Sequence, residues 1–82
     1  MPNYEQLDRE LTFGERAVGI SFNPSQNPEV REIKEKSATL IDLLHAARTQ
    51  SLDPEKGRMF SLAITELQTA QMWAVKAITW NL

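Results

Sequence analysis

The chain has 82 residues, nine lysines and arginines against eleven acids, and no cysteine. That length holds one domain with a small core, which usually needs added support. Disulfides and cysteine-bound zinc are excluded, and a single histidine, His45, makes a metal site unexpected. The net charge of −2 speaks against a DNA or RNA polymer, which requires a basic footprint. A small anion needs only a few placed donors and stays open. No apolar run approaches the roughly 18 residues of a membrane span. Met1 to Glu10 is polar and carries both signs of charge, so a secretory signal is not expected. The absence of cysteine fits a reducing cytoplasm.

In Met1 to Leu11, the spacing of Tyr4, Leu7 and Leu11 predicts a short helix. Thr12 to Asn27 contains Gly14, Gly19, Pro24 and two asparagines, and reads as an ordered loop. Within it Val18, Ile20 and Phe22 alternate, which suggests a strand-like piece over Ala17 to Phe22. Loops of this length in small domains are often functional.

Helix A starts at a clear signal: Asn27 as cap, Pro28 at the first position, Glu29 in the first turn. Val30, Ile33, Ser37, Leu40, Leu44 and Ala47 recur at 3-4-3-4-3, a heptad seam, which Ile41 and Leu43 widen. Asp53-Pro54-Glu55 repeats the start signal after a short connection. The seam of helix B is Phe60, Ala63, Leu67, Ala70, Ala74 and Ala77. Two long helices joined by a short connection lie antiparallel. The fold class is therefore all-α, a long antiparallel helical hairpin preceded by a short N-terminal helix and an ordered loop. One domain spans 1–82, with the helix and loop in 1–27, helix A in 28–49 and helix B in 53–80.

Residues Met59 to Leu82 carry two charges, Glu66 and Lys76. A solvated helix normally shows a charged face. This one shows none, and the chain has little other material to cover it, so a homo-oligomer is expected. A second stripe on helix B joins Thr69, Trp73, Lys76 and Trp80. It serves either subunit contact or a pocket in which indoles stack a ligand and Lys76 meets an anion; both can hold at once.

No catalytic signature is present. The carboxylates of helix A alternate with Arg31, Lys34 and Lys36 as solvated pairs, and His45 has no acid or nucleophile partner in sequence. The remaining constellation is Phe22-Asn23-Pro24-Ser25 leading into helix A, with Arg31 and Lys34 on its first two turns. An aromatic can stack on a base, Asn23 and Ser25 can hydrogen-bond, and Lys34 can meet a phosphate. Alternatively Phe22 packs the loop and the FNPS run is a turn.

The run AVGISFNPS, the following V-x-x-I-K and ATLIDLL, and then ITELQTAQMWAVKAITW resemble the small phage anti-CBASS proteins. These are cyclic-oligonucleotide sponges that share a helical-hairpin domain with the Thoeris anti-defence proteins. The resemblance covers Phe13 to Trp80. It implies a homohexamer in the cytoplasm of the infected bacterial host. It implies binding of cyclic dinucleotides, and in some members cyclic trinucleotides, without cleavage, so that the immune effector stays silent. It implies no enzyme activity and no cofactor. Phe22, with Phe13 as alternate, matches the family's base-stacking aromatic, and Lys34 its phosphate-binding lysine. The family's usual tyrosine–arginine pair is here Phe22–Asn23. Lys76 matches the basic residue of a separate trinucleotide pocket, where Trp73, Thr69 and Trp80 lie beside it. Two other readings stand beside the sponge: a structural or adaptor bundle with protein partners only, and, more remotely, a phosphodiesterase.

Overall fold

The computed structural model describes residues 9–23 and 26–81. Among them there are three helices and no strand: α1 (Phe13–Val18), α2 (Pro28–Gln50) and α3 (Pro54–Ile78). The helix expected in Met1 to Leu11 falls largely outside the described residues. Arg9 to Thr12, which are described, are not helical.

The loop expected over Thr12 to Asn27 is half helix. Thr12 forms a capping box, its hydroxyl accepting from the Glu15 N–H and the Glu15 carboxylate accepting from the Thr12 N–H. This reciprocal cap satisfies two of the free donors at a helix start. The helix stops at Gly19, at φ 61°, a left-handed conformation that favours glycine. The strand-like piece over Ala17 to Phe22 is thereby corrected. Its alternation reflects two residues facing the core, Val18 and Ile20, followed by an exposed Phe22.

Asn27 caps α2 by accepting from the N–H groups of Glu29 and Val30, and Asp53 caps α3 by accepting from that of Glu55. Proline opens both helices. With only Ser51 to Asp53 between them, α2 and α3 form the two arms of a hairpin. Val18, Ile20, Ala38, Ile41 and Ile64 make the core, with Leu11, Ala17, Leu44 and Leu67 packed on it.

Both seams are rotated from the expected heptads. On α2 the buried residues are Val30, Lys34, Ala38 and Ile41, while Leu40 and Leu43 are exposed. On α3 they are Ile64 and Gln71, while Ala70 and Ala77 are exposed. The physical reason is α1. It packs across α2 at Ala38, so α2 must bury a face directed between α1 and α3 rather than toward α3 alone.

Candidate functional site

One side chain of α2 holds the first part of the loop between α1 and α2. Lys34 is 5% exposed and its Nζ donates to the backbone carbonyls of Gly19, at 2.9 Å, and Phe22. Burial pushes its ammonium below the ordinary lysine value, because removal from water penalises the charged form. Among the described residues no carboxylate forms an ion pair with it. An ammonium has three donors, so two carbonyls leave one over.

Phe22 sits above this charge. Its ring is 72% exposed, with Lys34 Nζ 5.4 Å from the centroid. Asn23 fixes the approach to α2: its Nδ2 donates to the Asn27 carbonyl at 3.0 Å, and its Oδ1 accepts from the Asn27 N–H at 3.1 Å. Gln26, at φ 53°, makes the turn between them. Arg31 is half-buried one turn into α2. Ser25 lies outside the described residues. Phe22, Asn23, Arg31 and Lys34 thus gather at the open end of the hairpin, away from the Ser51–Asp53 connection.

Phe13 does not join them. Its ring stacks on His45, with centroids 4.1 Å apart and planes 9° from parallel. Arg48 lies 5.4 Å from the same ring, bonds His45 Nδ1 at 2.7 Å and donates to the Ser61 hydroxyl at 3.1 Å. His45 is eleven residues beyond Lys34, about 16 Å along the helix. Phe13 therefore belongs to a clasp joining all three helices.

The second stripe forms as spaced. Lys76 Nζ lies 5.3 Å from the Trp73 ring and 5.8 Å from the Trp80 ring. Both indoles are exposed, at 65% and 70%. Thr69 returns its hydroxyl to the Thr65 carbonyl at 3.3 Å, so this residue is turned to its own helix.

Two clefts on the described surface lie elsewhere. One, of about 340 Å³, is a groove between Glu35, Lys36, Thr39, Leu40 and Leu43. The other, of about 300 Å³, holds three carboxylates, Glu15, Glu35 and Asp42, a lining that repels an anion. Gly19 is the contributor that sequence reasoning does not single out, since its carbonyl holds the lysine. The signal was available: a Thr12-x-x-Glu15 capping box followed four residues later by glycine marks a short helix and its stop.

Among the described residues no cluster of three or more histidines and carboxylates is placed to hold a metal. No helix among them is long and apolar enough to cross a membrane. The fold and site define a small all-helical hairpin protein whose open end presents an aromatic over a buried cation. Residues 15–79 match the family described as Acb2/Tad1, hairpin domain, and the chain belongs to that family. The family is associated with sequestration of cyclic nucleotides against CBASS and Thoeris immunity, a non-enzymatic, sponge-type role. No curated protein and no solved structure matches the chain.

Proposed function

We propose that this chain binds cyclic dinucleotide messengers and withholds them, uncleaved, from the effectors of antiphage immunity. The observation that carries this reading is the exposed Phe22 ring beside the buried Lys34 ammonium, which has no carboxylate partner among the described residues. A nucleobase stacks on the ring. A phosphate neutralises a charge that is already out of water, so little further desolvation opposes the contact. Asn23 and Arg31 add hydrogen bonds at the rim, and Ser25, outside the described residues, is a further ligand residue by the sequence reading.

The working unit is a homo-oligomer, a hexamer by family resemblance, with these sites shared between protomers. Leu40, Leu43, Leu62, Met72 and Trp73 are exposed on a single chain. Apolar surface of this kind supports association. Trp73, Lys76 and Trp80, with Thr69 near them, are the proposed second pocket, for cyclic trinucleotides. The setting is the cytoplasm of the infected host cell.

Titration calorimetry against a panel of cyclic di- and trinucleotides tests the proposal, with the ligand recovered by chromatography after the protein is denatured. Tight binding and intact ligand are expected. No heat with any member of the panel leaves the protein-only adaptor, which the exposed apolar faces would equally serve. Degraded ligand makes the protein an enzyme.

A further inference from the structure

Gln71 is 6% exposed, faces inward on α3, and its amide oxygen is buried with no hydrogen-bond partner among the described residues. An orphaned amide in a core carries the desolvation penalty of its unmet acceptor. Leucine or methionine would fill the same volume without that cost. A buried orphan therefore asks for a donor that the described residues do not supply.

Its place in the hairpin suggests the donor. Ile41 and Ile64 belong to the same core cluster, one on each arm. Lys34 lies seven residues before Ile41, and Gln71 seven residues after Ile64. In antiparallel helices these are equal displacements of about 10.5 Å toward the same end. Lys34 and Gln71 are thus the two buried polar side chains at one level, the level at which Lys34 ties down the Gly19–Phe22 segment.

We propose that Gln71 is a ligand-contacting residue of this site, accepting a hydrogen bond from a base amino group of the cyclic nucleotide held by Phe22 and Lys34. This rests on the nucleotide-binding reading above. An amide pairs its acceptor and donor with the edge of a purine. A ligand seated between the loop and the hairpin, at the level of Lys34, brings a donor toward this buried oxygen. Gln71 then selects among messengers: a base without a donor leaves the amide orphaned in the complex as well, and loses affinity for that reason.

The test is Gln71→Leu, with Gln71→Met as a second variant, read by thermal melting, by sedimentation and by calorimetry with the cyclic dinucleotide the wild type binds best. The expected result is a melting temperature equal to or above wild type, an unchanged oligomer, and affinity lower by roughly ten- to a hundredfold. Unchanged affinity in a wild-type background that binds overturns the role of Gln71 alone. A fall in melting temperature, or loss of the oligomer, assigns Gln71 to packing or subunit contact and also overturns it. A wild type that binds no cyclic nucleotide removes the nucleotide reading and this role together, even if the variant melts higher.

Discussion

Gly14 and Ala38 touch backbone to backbone: a Cβ built on Gly14 would stand 2.1 Å from the Ala38 carbonyl oxygen. The same close approach lets the Gly14 N–H donate to Asp42 Oδ1 at 2.6 Å, so a carboxylate of α2 caps the start of α1. A six-residue helix has little stability of its own. Its place is set by this contact.

Gly14→Ala forces α1 away from α2, because the obstacle is backbone and cannot rotate aside. The expected loss is about 2 to 4 kcal/mol, as for other overpacked or broken contacts. Urea unfolding checks it, and a midpoint equal to wild type would show that α1 is not seated on Ala38. Asp42→Ala, which only removes the cap, should cost less, about 1 kcal/mol.

Acid should loosen the same corner. The Arg9 guanidinium, aided by the Thr12 N–H, holds the Glu15 carboxyl at about 2, below its ordinary 4.5. The folded value lies below the unfolded one, so the stabilisation is complete above pH 4.5 and is lost as pH falls toward 2. Arg9 is half exposed, at 52%, and solvent screening limits the effect to about 2 kcal/mol. Glu15→Gln should flatten the acid limb of the stability curve across this window. An acid limb identical to wild type would remove Glu15 from the account.

Lys34→Met keeps the aliphatic stem and removes the charge. Dinucleotide affinity should fall by at least roughly ten- to a hundredfold, the worth of a charge-assisted hydrogen bond of about 1.5 to 3 kcal/mol, since the variant also releases the Gly19 and Phe22 carbonyls. The oligomer should survive. Calorimetry and sedimentation read the two separately, and dissociation of the oligomer would assign Lys34 to assembly rather than to the ligand.

On α3, Trp73→Ala should break assembly, and an intact hexamer in the ultracentrifuge would refute this. Lys76→Ala should spare cyclic dinucleotides and weaken trinucleotides. Equal loss of both contradicts two separate pockets.

The hairpin was legible because its signals are local. Asn27-Pro28-Glu29 and Asp53-Pro54-Glu55 each place a cap, a proline and an acid where a helix start needs them, and both starts fall there. The α1 turn was not legible to periodicity. Gly14 and Gly19 lower helix propensity, and the glycine at 14 is required by a partner 24 residues away. The heptads centred on Ile33 and Leu40, with Ile41 only widening the seam, whereas Lys34 and Ile41 are buried, since packing by α1 rotated the face. Hydrophobicity alone does not put a lysine in a core. Carbonyls offered by Gly19 and Phe22 do. In the candidate site, Lys34 Nζ lies 5.4 Å from the Phe22 ring, while Phe13 is drawn off by His45, a partner with no signal in the spacing.

The two indoles of the chain, Trp73 on α3 and Trp80 just past its end, are both exposed and flank Lys76, and the Phe22 loop contains none. Ultraviolet emission of this protein is therefore a reporter of the surface around Lys76. It should shift to the blue when a neighbouring subunit or a trinucleotide covers the indoles. A ligand confined to Phe22 would leave its position nearly still. The two kinds of site can thus be followed optically in the unmodified chain, without a label.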